Sequence, residues 1–152
     1  MLLLRRWSVR NARALEHVYR VLQRTAVSLR PVLRRFGAAG LERPAAAIER
    51  LTKGLIFDCR MCGQCMLSSS GMSCPMNCPK QLRNGPCGGV RPDGTCEVKP
   101  DMPCVWVQAW TGAQAMREGS TILLPQPPVD FRLQGRSAWI ALLNPRGGGR
   151  TS

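Results

Sequence analysis

The chain has 152 residues, with 22 Lys or Arg against 9 Asp or Glu, a formal net charge of +13 and a single His. That length fits one domain with tails and is too short for a (β/α)8 barrel of ~250 residues, and no stretch approaches the ~20 apolar residues of a bilayer span. The excess charge sits at the front: residues 1–58 carry 12 basic against 4 acidic side chains, residues 59–104 carry 5 against 3, and residues 105–152 carry 5 against 2.

At the N-terminus, Leu2, Leu3 and Leu4 precede Arg5 and Arg6, so charge follows the apolar residues, and neither the apolar run nor the small-residue cleavage site of a secretion signal appears. A cytoplasmic location is expected, where thiols stay reduced and clustered cysteines bind metal. The first thirty residues, Arg-rich with Glu16 as their one acid, also have the composition of an organelle transit peptide, and that reading stays open. Over residues 12–36, Leu15, Tyr19, Leu22, Ala26, Leu29, Leu33 and Phe36 recur at alternating steps of four and three, the stripe of an amphipathic helix, with arginines over much of the remaining surface. Pro31 lacks the N–H that a helix interior needs, so a kink is expected there, or a second helix with Pro31 in its first turn and its end at Gly37. Residues 44–53 read as a further helix closed by Gly54. Residues 1–54 are therefore expected to form a basic helical extension. Its apolar stripe suits a partner subunit or the chain's own core, and its arginines suit an anionic membrane surface or nucleic acid. His17 reads as an exposed or partner-facing helix residue rather than a ligand.

All eight cysteines fall between Cys59 and Cys104. That block has no Phe, Tyr or Trp, while Gly and Pro each occur six times. Ordering a backbone costs roughly 1–2 kcal/mol per residue, and so little apolar mass cannot offset it. Disulfides, zinc or iron–sulfur clusters are the remaining staples, and the expected reducing compartment favours metal. Cys59, Cys62 and Cys65 form C-x2-C-x2-C, the tripod that places three thiolates on one face of an iron–sulfur cube in the bacterial ferredoxin run ending in Cys-Pro. Cys74-Pro75 and Cys78-Pro79 supply that ending, but eight residues separate Cys65 from Cys74 where the ferredoxin run has three. The same thiols also suit tetrahedral zinc. Eight cysteines make two four-thiolate sites. The expected partition joins Cys59, Cys62 and Cys65 to a distant fourth ligand, Cys104, and leaves Cys74, Cys78, Cys87 and Cys96 for the second site.

The run CRMCGQC, then CPMNCPKQLRNGPCGG, then GTCEVKPDMPCVW resembles the cysteine-rich methylenetetrahydrofolate reductase C-terminal domain family, which includes small partner subunits of some bacterial reductases. The likeness covers residues 55–117, with a weaker echo at 135–139. It implies that Cys59, Cys62, Cys65, Cys74, Cys78, Cys87, Cys96 and Cys104 are metal ligands, with iron–sulfur, [4Fe–4S] foremost, and zinc both represented among related subunits. It also implies that FAD and folate belong to a separate barrel-fold catalytic subunit.

After Cys104, Trp106, Trp110 and Ala113 share a helical spacing, and a helix is expected over 103–117, its tryptophans either stacked over a cluster or packed in the core. Residues 125–128 read as an extended linker, 137–143 as a short apolar element suited to docking on a partner, and 147–149 as a flexible tail. The resulting fold class is a small metal-stabilised, loop-rich cysteine domain over 55–119, flanked by α-helices with little or no β-sheet, and a C-terminal tail over 120–152. No dinucleotide fingerprint, Walker A loop or Cys–His pair offers catalysis, so no catalytic residue is expected. The leading expectation is an accessory subunit that relays electrons to a flavin-dependent methylenetetrahydrofolate reductase or braces it. Lys80, Arg83 and Arg91 would raise a cluster's potential if they lie near it, and are ordinary surface charge otherwise. The alternatives are a zinc-stapled interaction module and a nucleic-acid-binding zinc protein, the last disfavoured by few aromatics and the absence of a C2H2 pattern.

Overall fold

The computed structural model describes residues 2–28, 31 and 38–143. Helix α1 (Leu2–Arg10) runs into α2 (Ala12–Ser28). Asn11 is the joint: its N–H donates to the Trp7 carbonyl at 3.0 Å and its own carbonyl accepts from the Leu15 N–H at 3.0 Å, so helical hydrogen bonding crosses the junction. The kink or restart expected around Pro31 falls on residues outside those described.

Helix α3 (Ala38–Phe57) begins earlier and ends later than the 44–53 expected from sequence. Gly54 does not close it. The stop comes at Asp58, in the left-handed region at φ 52°, whose N–H donates to the Gly54 carbonyl at 3.1 Å, the pattern of a left-handed C-terminal cap made by a non-glycine residue. This helix is inverted. Ile48, Leu51 and Leu55 are more than half exposed, while Glu49 and Lys53 on the other side are each 2% exposed.

Helix α4 (Val105–Ala115) lies within two residues of its expected span. The expected apolar element over 137–143 is helix α5 (Ala138–Leu143). It packs against α2 and α3 of its own chain, with Ser137, Ala138 and Ile140 buried, so its docking site is internal rather than on a partner. Short 3-10 turns at Leu67–Ser69, Pro75–Asn77, Gly119–Leu123 and Phe131–Leu133 punctuate the loops. Among the described residues β structure is limited to two isolated bridges, Val90 with Cys96 and Thr95 with Pro103, as the sequence led one to expect.

The basic N-terminal helices fold back. Helix α1 packs on α3 and α4, and α2 on α4 and α5. Ala12 and Phe57 from the helices meet Leu67, Met72 and Cys74 from the cysteine block, joined by Met116. A second cluster gathers Met66, Cys104, Trp106 and Ala109. The cysteine block thus does enter an apolar core, with flanking helices supplying the large surfaces and its own methionines filling irregular gaps. No helix among the described residues is long and apolar enough to cross a membrane.

Candidate metal centre

The cysteines line two separate cavities. The first is bounded by Cys59, Cys62, Cys65 and Cys74, together with Glu49 and Arg83. The second is bounded by Cys78, Cys87, Cys96 and Cys104, together with Met102 and Trp106. The grouping differs from the partition expected from spacing: Cys74 lines the tripod's cavity, and Cys104 lines the other. Among the described residues no three or more His, Cys, Asp or Glu side chains converge on a point tightly enough to hold a single ion.

The tripod is shaped by residues in the left-handed region, Asp58, Met61 and Gly63. Met61 donates its N–H to Cys59 Sγ at 3.4 Å. The C-terminal segment braces the loop: Gly135 N–H donates to the Met61 carbonyl at 2.8 Å, Gln134 Nε2 to the Arg60 carbonyl at 2.7 Å, and Asp130 N–H to Gln64 Oε1 at 2.7 Å. The eight residues between Cys65 and Cys74 are what spacing could not place. They fold as a buried loop whose Gly71 lies directly on the backbone of α4, opposite Gly112, where a Cβ on either glycine would collide with the other segment's main chain. Ser70 Oγ ties the loop internally, lying 2.8 Å from both the Met66 and Ser73 carbonyls, to one of which its single O–H donates at a time. Cys74-Pro75 is thereby carried back to the tripod, giving the cavity a Cys-Pro element beside C-x2-C-x2-C.

Burial pushes the Cys59 thiol up to about 11 and the Cys74 thiol up to about 12, with neighbouring cysteines adding to the rise. At neutral pH these thiols keep their protons unless a cation displaces them. Arg83 is 8% exposed and lines this cavity. One of its terminal nitrogens, Nη2, donates to the Gln64 carbonyl at 2.9 Å, while Nε and Nη1 have no partner among the described residues. A buried guanidinium with two orphaned donor groups beside four thiols fits an anionic, thiolate-ligated metal centre. Lys80 and Arg91 differ. Both are exposed, and Lys80 pairs with the exposed Glu97.

A buried network next to the tripod was not foreseen from sequence. Lys53 Nζ donates to Glu49 Oε1 at 2.6 Å, Ser137 Oγ donates to Glu49 Oε2 at 2.7 Å, and the Lys53 ammonium lies 4.9 Å from the Trp139 ring centroid and 5.5 Å from that of Tyr19. Burial works against the charge on Lys53, but Cys65 and then Glu49 outweigh it and hold the lysine above its ordinary value. The hint available in sequence was the i,i+4 pair Glu49 and Lys53 lying across the helix from Ile48, Leu51 and Leu55. Ordinary reading assigns such a pair to solvent.

The second cavity is built from turns. Cys96 N–H donates to the Met102 carbonyl and Cys104 N–H to the Gly94 carbonyl, each at 2.9 Å. Cys87 is exposed, with Sγ 3.5 Å from Glu97 Oε1. The expected tryptophan face divides: Trp106 is buried, donates Nε1–H to the Leu82 carbonyl at 3.1 Å and lines this cavity, while Trp110 is half exposed. His17 lies exposed on α2, as expected.

A family model described as "Methylene-tetrahydrofolate reductase C terminal" matches residues 38–132, which include all eight cysteines. The chain belongs to that family. Its name links the chain to methylenetetrahydrofolate reductase. Helices α1 and α2, with Arg5 and Tyr19, lie outside the matched span, as does α5. No curated protein and no solved structure matches the chain.

Proposed function

We propose that this chain is a metal-cluster subunit that associates with a flavin-dependent methylenetetrahydrofolate reductase, with an iron–sulfur cluster, a [4Fe–4S] centre, held by Cys59, Cys62, Cys65 and Cys74. The observation that carries this reading is the first cavity, where a ferredoxin-type tripod, a Cys-Pro cysteine and a buried guanidinium with unmet donors come together. Such a cluster supplies one-electron transfer. The chain's own residues hold the thiols in place, exclude water through Met61, Met66 and Leu67, and aim the Met61 N–H at the Cys59 sulfur. Cys78, Cys87, Cys96 and Cys104 form the second thiolate centre, whose ligand set suits either a cluster or tetrahedral zinc.

The barrel, FAD and folate site are assigned to the partner. Association is supported by α3, whose Ile48, Leu51 and Leu55 face outward beside the buried network, because an outward apolar stripe on a helix marks an interaction surface. The place of action is the cytoplasm, where the eight thiols stay reduced.

Anaerobic purification of the full chain, alone and with the catalytic flavoprotein, followed by metal counting and visible spectra before and after dithionite, tests this. Brown protein with about four iron atoms or more per chain, bleached by dithionite and held by the flavoprotein, is the expected result, with Leu51→Glu weakening the association. Colourless protein containing only zinc removes electron relay and leaves a scaffold.

A further inference from the structure

Three buried cations come from different parts of the chain, and one of them, Arg83, lines the first cavity, its Nε and Nη1 unpartnered among the described residues. Lys53, on α3, donates to Glu49, which lines the same cavity. Arg5 comes from α1, outside the family match. It is 6% exposed, its Nη1 donates to Met102 Sδ at 3.5 Å, and its Nη2 has no partner. Burial lowers the Arg5 pKa, and Asp58 works against that fall.

One fully buried acid, Glu49, faces these cations. Glu49 pairs with Lys53 and the partly exposed Asp58 acts on Arg5, while Arg83 has no acid beside it among the described residues, so positive charge is in excess here. An isolated buried charge is strongly unfavourable, so this excess calls for a negative counterpart. Four thiolates around a doubly positive metal core would carry net negative charge and offset it. Met102 belongs to the lining of the second cavity, so Arg5 sits between the two sites.

We propose that Arg5, Lys53 and Arg83 set the reduction potential of the first centre, their fixed buried charge favouring its more negative, one-electron-reduced form. They are positioning residues: their hydrogen bonds run to Met102, Glu49 and Gln64 rather than to a reacting substrate. At the second cavity the bordering charges are Lys80 and Glu97, exposed and paired with each other, so solvent and mutual cancellation blunt them.

This inference rests on the cluster reading above, and the test separates the two. The full chain, purified anaerobically, is counted for iron and titrated with dithionite against mediator dyes, following the visible bleach and the reduced-state EPR signal. The expected result is a downward shift in the midpoint of the tripod-held centre in Arg83→Gln, Lys53→Met and Arg5→Gln at unchanged iron content, recovery in Arg83→Lys, and no shift in Lys80→Gln. Where Arg83→Gln loses its iron, Lys53→Met and Arg5→Gln give the same readout. Iron-loaded variants with the wild-type midpoint overturn this inference and leave the cluster reading standing. A wild-type chain that binds only zinc overturns both.

Discussion

The two halves of the cysteine block use the same residue types in opposite ways. Residues 61–77 are almost wholly buried under α1, α2 and α4, whereas residues 84–101 have no buried member. In the first half glycine serves close packing. Gly71 and Gly112 let a loop and a helix touch backbone to backbone. In the second half Gly85, Gly88 and Gly94 have open space around them and serve only the left-handed turns that their φ values of 127°, 79° and 79° require. Charge follows the same division: at the first cavity it is buried, with Arg83 only partly bonded and Lys53 paired with Glu49, and at the second the Lys80–Glu97 pair is exposed. A cysteine-rich segment therefore need not be uniform: one half borrows a core from its neighbours, and the other has no buried residue of its own over 84–101.

That contrast is broken most directly at the glycines. Gly71→Ala or Gly112→Ala forces two main chains apart and should cost about 3 kcal/mol or more, seen as a lower midpoint in denaturant unfolding. Gly85→Ala or Gly94→Ala adds only left-handed strain, about 1 kcal/mol. Equal effects in both halves would contradict the division.

Glu16 ties the N-terminal helices to the end of α4. Its carboxylate accepts from the Arg117 and Glu118 N–H groups at 2.8 and 3.1 Å and pairs with Arg20 at 2.7 Å. Burial alone would raise its pKa, but these donors and the arginine bring it below the ordinary 4.5. The stabilisation is complete above that value and is lost as pH falls through the lower, folded-state value. Glu16→Ala should cost about 2–3 kcal/mol at neutral pH, and Glu16→Gln should flatten the acid side of the stability curve. An unchanged acid limb would show that the helices are held without it.

Part of the architecture was legible before the fold. The confinement of the cysteines to one block and the scarcity of β structure follow from local spacing and composition. The assignment of Cys74 was not, because it depends on a loop whose closure rests on Gly71 meeting Gly112, some forty residues away. Arg5, Glu49 and Lys53 were missed for a related reason: charges on helices read as solvated until another element covers them, and here α5 and the cysteine loops do the covering. The N-terminal arginine helix was read chiefly for partners, yet Arg5, Ser8 and Ala12 are buried within the chain itself.

Two smaller effects sharpen the comparison. Metal binding at the first centre must displace protons from thiols raised to about 11 and about 12, so its apparent affinity should climb with pH through the neutral range and go on climbing in mild alkali. Competition with a chromophoric chelator at several pH values measures this, and a flat profile would mean that those thiols are not ligands. The smallest effect belongs to the second half: Lys80→Gln and Glu97→Gln remove an exposed pair and should leave thermal stability unchanged within error.

The division of the eight cysteines into two sets is the claim on which the rest stands, and it is tested by comparing Cys74→Ser with Cys104→Ser in the anaerobically purified full chain. The account predicts that Cys74→Ser abolishes or alters the spectrum of the tripod-held cluster and spares the second centre, while Cys104→Ser spares the tripod-held cluster and depletes the second. Loss of the tripod-held cluster in Cys104→Ser, with its signal intact in Cys74→Ser, would contradict it.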